Sequence, residues 1–129
     1  KFNTLKQYKF SICYENARDI PGYITEKIFD CFSAGCIPVY WGANNITDFI
    51  PEECFIDKRK FSCYEDLFSY LNKLSDEDCK GYVQAINKFI KSHDGQKFSA
   101  SYFGENIATE VLKAVNPGKF QKCGSGQDK

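Results

Sequence analysis

The sequence predicts an α/β fold, a partial Rossmann-like parallel sheet with flanking helices, and three observations lead there. Residues 8–14 alternate polar and apolar side chains with the two-residue period of a strand. Ile24, Ile28, Cys31 and Phe32 then recur at the i, i+4, i+7, i+8 spacing of a buried helical stripe. Ile37-Pro38-Val39-Tyr40-Trp41 is an unbroken apolar run, as expected of a parallel strand covered on both faces. Strand, helix and strand within about 34 residues make a βαβ unit, whose crossover is right-handed in nearly every fold.

Each element has its own local reason. Residues 1–6 read as the tail of a helix that runs directly into the first strand, so the chain begins in mid-architecture. Residues 15–22 form a loop: Asn16 and Asp19 are turn formers, Pro21 biases its predecessor away from helix, and Gly22 relaxes the backbone. Thr25 is placed to cap the following helix and Gly35 to end it. Gly42-Ala43-Asn44-Asn45 is a turn cluster, residues 47–50 fit one helical turn before Pro51, and residues 54–57 read as a short third strand.

Ser62 with Glu65 reads as a capping box for a helix bearing Leu67, Phe68, Leu71 and Leu74. Ser75 with Asp78 reads as a second box, opening a helix with Tyr82, Val83, Ile86, Phe89 and Ile90 on its apolar side. A loop around His93-Asp94-Gly95 precedes a final helix, about 103–115, expected to bury Ile107, Val111 and Leu112. Residues 116–129, rich in Gly, Lys and Gln, read as a flexible tail. Doubly wound sheets usually have five or six strands and only three are legible, so residues 1–115 are expected to be the C-terminal part of a larger domain, truncated on its N-terminal side.

Composition narrows the function. At 129 residues, 43% hydrophobic, the chain suffices for one packed core. Lys+Arg and Asp+Glu each number 17, which leaves no net field to draw in nucleic acid, so any anion site is local. No apolar run approaches the roughly 20 residues of a membrane-spanning helix, so no membrane contact is expected from these residues. The seven cysteines include no C-x-x-C pair of the kind that binds zinc, and most lie in apolar segments, which suggests reduced core thiols.

In open α/β sheets, ligands bind beyond the carboxyl ends of the strands, here the loop after Cys13-Tyr14. The helix opening near Thr25 presents unpaired N–H groups and its positive dipole end to that crevice, a ready phosphate site, and Lys27 adds a point charge. Glu26 repels phosphate and suits hydroxyl donors, so anion and hydroxyls together suggest a nucleoside diphosphate with its ribose. Alternatively, Thr25 and Glu26 are ordinary helix-start residues and Lys27 a solvated charge. Trp41 lines the pocket or belongs to the core. Lys58-Arg59-Lys60 reads as a solvated loop, and His93, the sole histidine, has no metal partners nearby, so no metal site is expected.

Cys13-Tyr14-Glu15-Asn16, Tyr23-Ile24-Thr25-Glu26-Lys27-Ile28 and Ile37-Pro38-Val39-Tyr40-Trp41-Gly42, in this order and spacing, resemble the signature of the α1,3/4-fucosyltransferase family. Tyr14 stands where that family commonly has Phe. The resemblance covers roughly the first 115 residues. It implies the C-terminal, GDP-fucose-binding domain of a two-domain GT-B glycosyltransferase that moves fucose, with inversion, to a hydroxyl of an N-acetylglucosamine- or glucose-containing glycan. It places Asn16, Tyr23, Glu26 and Lys27 on donor-contacting positions, with Thr25 as the cap that positions them; apart from the resemblance, Trp41 is a candidate support, no divalent metal is required by any protein site, and a divalent ion carried on the diphosphate stays open. It also implies a general base in an N-terminal acceptor domain absent from this chain, so no catalytic residue is assigned here. The implied location is the cytoplasm for a bacterial protein, with membrane association of the full protein, and the Golgi lumen for a eukaryotic one. Two other readings stay open: a GT-B transferase for another nucleotide sugar, and a non-catalytic nucleotide-binding or interaction module.

Overall fold

The computed structural model describes residues 2–115. Along the chain run α1 (Phe2–Leu5), β1 (Phe10–Tyr14), α2 (Glu26–Ala34), β2 (Ile37–Trp41), β3 (Ile56–Asp57), α3 (Tyr64–Lys73), α4 (Asp76–Lys91), α5 (His93–Gln96) and α6 (Ala100–Val115). Single 3-10 turns occupy Ile46–Asp48, Glu52–Cys54 and Lys58–Lys60. The sheet has the order β1-β2-β3 with both pairings parallel, Tyr14 beside Trp41 and Tyr40 beside Asp57. The expected βαβ unit is present, with α2 as the crossover.

Side-chain alternation splits the core between the two faces of the sheet. Cys13 and Tyr40 point to the face where Ile28, Cys31 and Phe32 of α2 are buried, together with Ile46, Ile50 and Phe55. Ile37, Val39 and Ile56 point to the other face and meet Leu67 of α3, with Tyr82 and Val83 of α4 packed alongside. Ile86 and Phe89, farther along α4, reach the first cluster. Each fully buried Ile or Phe contributes about 1.5–3 kcal/mol relative to an exposed one, so β2, buried along Ile37–Tyr40, is the centre of the fold. Gly35, at φ 74°, closes α2 in the left-handed conformation, its N–H bonding the carbonyls of Cys31 and Phe32.

Cys13, Cys31, Cys36 and Cys54 are buried free thiols, as expected of core cysteines, whereas Cys63 is exposed. The Sγ atoms of Cys13 and Cys31 lie 3.0 Å apart. Their hydrogen bond, with burial, pushes the Cys13 thiol well above its ordinary range.

Several expectations need correction. The third strand is only Ile56–Asp57, because Glu52–Cys54 coils into a 3-10 turn after Pro51. Helix α3 is capped by Cys63 and not by Ser62: the Cys63 Sγ accepts the Asp66 N–H, which moves the first turn one residue on. Phe68 then falls on the solvent side of α3 at 67% exposure. The Ser75–Asp78 box is complete, with each residue's side chain accepting the other's backbone N–H. His93–Gln96 is a short helix where a loop is expected, its Gly95 N–H taken by the Ser92 hydroxyl. Ile107, Val111 and Leu112 of α6 are exposed and not buried: the periodicity is real, but no described element covers that stripe. The expected flexible tail, 116–129, lies outside the described residues.

Candidate functional site

The site is assembled where β1 and β2 end. After Tyr14 the backbone stays tied to β2: Glu15 N–H donates to the Trp41 carbonyl at 2.8 Å and Asp19 N–H to the Gly42 carbonyl at 3.1 Å. Asp19 sits at φ 60°, a left-handed conformation that Asp tolerates better than most residues. Gly22 N–H donates to Asn45 Oδ1 at 2.8 Å, which fixes the far end of the loop. The loop thus delivers the chain to the start of α2 directly beside the ends of both strands.

Glu15 organises this region, and sequence reasoning did not single it out. Its side chain is fully buried. Oε1 accepts the Thr25 N–H at 2.8 Å, Oε2 accepts the Thr25 hydroxyl at 2.6 Å, and Lys27 Nζ lies 3.7 Å from Oε2. A buried carboxylate is tolerated only when it is paired and hydrogen-bonded, and this one is both. Its position in Cys13-Tyr14-Glu15-Asn16 was the available signal: an acid immediately after a strand whose last residues include the buried Cys13.

Gly42 makes the burial possible. A Cβ there would fall 2.4 Å from Glu15 Cγ and 2.4 Å from the Tyr40 hydroxyl oxygen, so only glycine lets the carboxylate and the Tyr40 ring share the space. The Tyr40 hydroxyl accepts the Ala43 N–H at 3.1 Å.

Thr25 holds the N-cap position of α2, but not by the expected bond. Its side chain is turned to Glu15 and makes no cap hydrogen bond. The first-turn N–H groups of α2 are therefore left uncapped and carry the positive end of the helix dipole. Lys27 Nζ donates to the Tyr14 carbonyl at 2.9 Å and to Asn16 Oδ1 at 2.8 Å. Asn16, Thr25 and Lys27 thus converge with Glu15 in one connected network. Glu26 is exposed in the first turn, and Tyr23 is half-buried with its carbonyl 3.5 Å from the Tyr40 hydroxyl. Neither the Tyr23 nor the Glu26 side chain forms a hydrogen bond among the described residues.

Trp41, at the end of β2, is neither plain core nor bare pocket wall. The ring meets Tyr14 edge-on at 5.5 Å and carries two cations, the Arg18 guanidinium at 4.3 Å and Lys58 Nζ at 5.5 Å. The Tyr14 hydroxyl is buried without a hydrogen-bond partner among the described residues. The reading of residues 58–60 as a solvated loop is corrected for Lys58, whereas Arg59 and Lys60 are exposed as expected. Lys58 is buried, donates to the Phe61 carbonyl at 3.0 Å and lies over the Tyr64 ring at 5.0 Å. Arg59 grips the Asp57 carboxylate, which also caps this turn, and donates to the Asn44 carbonyl. That grip raises the Arg59 pKa further.

A cleft of about 900 Å³ lies elsewhere, beside β3 and between α3 and α4, lined by Phe55, Phe61, Tyr70 and Tyr82 with Glu77 and Lys60. None of the sequence-predicted site residues borders it. Among the described residues no group of three or more His, Cys, Asp or Glu is arranged to hold a metal ion.

A family model described as glycosyltransferase family 10 (fucosyltransferase), C-terminal region, matches residues 1–94. The chain belongs to this fucosyltransferase family. It is 30% identical over 111 residues to the alpha-(1,3)-fucosyltransferase FucT of Helicobacter pylori, covering 85% of this chain and 22% of that protein. It is 37% identical over 73 residues to an alpha-(1,4)-fucosyltransferase of Arabidopsis thaliana, covering 57% and 18%. It is 41% identical over 83 residues to GDP-fucose protein O-fucosyltransferase 3 of Xenopus laevis, covering 64% and 17%. The chain thus spans about a fifth of the length of these relatives.

A crystal structure of an alpha1,3-fucosyltransferase with GDP-fucose superposes with a TM-score of 0.55 at 29% identity, over 66% of this chain and 25% of that one. The family 10 match includes β1, α2, β2 and β3, and therefore the whole network around Glu15.

Proposed function

We propose that residues 1–115 are the donor-binding part of a fucosyltransferase, which transfers fucose from GDP-fucose with inversion at the anomeric carbon. The observation that carries this reading is the uncapped N-terminus of α2, with Lys27 held beside it by Asn16, Tyr14 and Glu15. Backbone N–H groups and an ammonium converge where strand ends offer a crevice, which suits a diphosphate. Lys27 stabilises the charge that develops on the leaving diphosphate, an interaction strongest in the transition state. Glu26, exposed beside it, accepts from ribose or fucose hydroxyls, Tyr23 and Asn16 complete the donor contacts, and Thr25 and Trp41 support them. The solved relative with GDP-fucose supports the choice of donor.

Inversion needs a base on the acceptor side of the anomeric carbon, and none of the residues named here is placed there. That base is assigned to an N-terminal acceptor domain preceding residue 1, and residues 1–115 alone are expected to turn over no substrate. The acceptor is a hydroxyl of an N-acetylglucosamine- or glucose-containing glycan. A second reading, favoured by the 41% identity to a protein O-fucosyltransferase, is a hydroxyl on a protein. No divalent ion is required by a protein site in this scheme, and a divalent ion carried on the diphosphate is compatible with it. With relatives in a bacterium, a plant and animals, the proposed location is cytoplasmic in a bacterium and the Golgi lumen in a eukaryote.

The test is transfer of labelled fucose from GDP-fucose by the full protein to N-acetyllactosamine and, separately, to a protein acceptor. Lys27→Ala should lower kcat at least about a hundredfold, the usual scale for removing an electrostatic stabiliser of a transition state. No transfer to either acceptor by the wild type would refute the enzyme reading.

A further inference from the structure

The strands end in a row. Tyr14 lies beside Trp41 and Tyr40 beside Asp57, so Lys58 follows on the strand next to Trp41. With neighbouring strands about 4.8 Å apart, the row from Tyr14, which Lys27 contacts, to Lys58 is about 10 Å long. Most of its cations are neutralised: Lys27 pairs with Glu15, Arg59 with Asp57 and Lys60 with Glu52. Arg18 and Lys58 are the exceptions, since neither meets a carboxylate within ion-pair distance among the described residues. Asp57, adjacent to Lys58, is spent on Arg59. Lys58 is only 7% exposed and has one carbonyl and two aromatic rings for partners. Burying an ammonium without a counter-ion is costly, and the Arg18 guanidinium over the same Trp41 ring adds like-charge repulsion. An anion arriving at Trp41 relieves both.

We propose that Arg18, stacked on Trp41 and backed by the field of the buried Lys58 beside the same ring, forms a further cationic contact for the diphosphate of the donor. This rests on the reading of the site as one for a nucleoside diphosphate sugar. Arg18 is exposed on the β1–α2 loop and spends no hydrogen-bond donor on the described residues, so its guanidinium makes the contact. Lys58, buried beside the ring, supplies field and not contact. The division of labour follows from the pairing: Lys27 is already engaged by three oxygens, whereas among the described residues Arg18 is held only by its stack on Trp41. An arginine stacked on an aromatic ring is also preorganised for bidentate contact with phosphate oxygens.

The test is calorimetric titration of the protein with GDP, GMP and guanosine, for the wild type, Arg18→Gln, Lys58→Met and Lys27→Ala. Arg18→Gln should weaken GDP at least about tenfold, as expected for loss of a charge-assisted hydrogen bond, and leave guanosine unchanged. Lys58→Met should weaken GDP by a smaller factor and flatten its salt dependence, with circular dichroism to confirm that the variant is folded. Arg18→Gln sits on an exposed loop, so its result stands even where Lys58→Met fails to fold. Wild-type GDP affinity in Arg18→Gln, alongside a loss in Lys27→Ala, would overturn the platform and leave the donor site intact. A wild type that binds no GDP would remove the donor site and the platform together.

Discussion

Replacing Glu15 by Gln keeps the shape of the side chain and removes its charge, which isolates what the buried carboxylate does. In the wild type its two oxygens receive the Thr25 N–H at 2.8 Å and the Thr25 hydroxyl at 2.6 Å, with Lys27 3.7 Å away. The amide keeps one acceptor. With that oxygen on the Thr25 N–H, the new NH₂ faces the Thr25 hydroxyl and lies toward the Lys27 ammonium, with which it cannot pair. Both charge-assisted bonds become neutral, a change of about 1 kcal/mol each and so about 2 kcal/mol together.

Breaking a fully buried ion pair from one side costs about 3–5 kcal/mol, but Lys27 is 27% exposed and keeps the Tyr14 carbonyl and Asn16, which reduces that loss to about 1–2 kcal/mol. The expected total is about 3–4 kcal/mol in urea unfolding at pH 7, a large share of the 5–15 kcal/mol typical of a domain. The same variant should weaken GDP, because the start of α2 and Lys27 lose their common anchor. A stability change under about 0.5 kcal/mol, the range of ordinary surface substitutions, would refute the assignment of Glu15 as organiser.

Other consequences can be checked separately. Gly42→Ala forces a Cβ into Glu15 and Tyr40, and overpacking of this kind costs about 1–3 kcal/mol, readable as a lowered urea midpoint together with weaker GDP binding. Tyr14→Phe removes a buried hydroxyl that meets no well-formed hydrogen-bond partner among the described residues, so it should raise stability by up to about 1 kcal/mol in the same assay; a clear loss would mean that Tyr64, which acts on this hydroxyl electrostatically, bonds it in solution. The Ser75 hydroxyl and backbone N–H hold the Asp78 carboxyl below its ordinary 3.8. Its contribution to α4 is therefore complete above that value and lost as pH falls through the depressed one, so Ser75→Ala should lower the urea midpoint at pH 7 and reduce the loss of stability on acidification.

The parts of the fold legible in the sequence were those set by local periodicity. The strand pattern of residues 8–14, the stripe of Ile28, Cys31 and Phe32, and the apolar run of β2 each reflect one backbone geometry; the structure buries the last two as expected, whereas β1 is confined to Phe10–Tyr14 and Ile12 of its apolar set is 70% exposed. Thr25 was legible as a helix start, but its bond to Glu15 was not, because the partner lies ten residues upstream and depends on Gly42 leaving room. Lys58 looked solvated because its aromatic partners Trp41 and Tyr64 come from other elements. The choice of Cys63 over Ser62 as the cap of α3 turns on a one-residue register that neighbouring polar side chains specify weakly. Helix α6 shows that a stripe reveals an apolar face without revealing what it packs against.

The central claim is that the start of α2, with Lys27, binds the diphosphate of GDP-fucose. Parallel calorimetric titrations with GDP, UDP and ADP test it most directly. The account predicts saturable binding of GDP, far weaker binding of UDP and ADP, and loss of GDP binding in Lys27→Ala. Equal affinity for all three would point to another nucleotide sugar, and GDP binding unchanged by Lys27→Ala would contradict the claim.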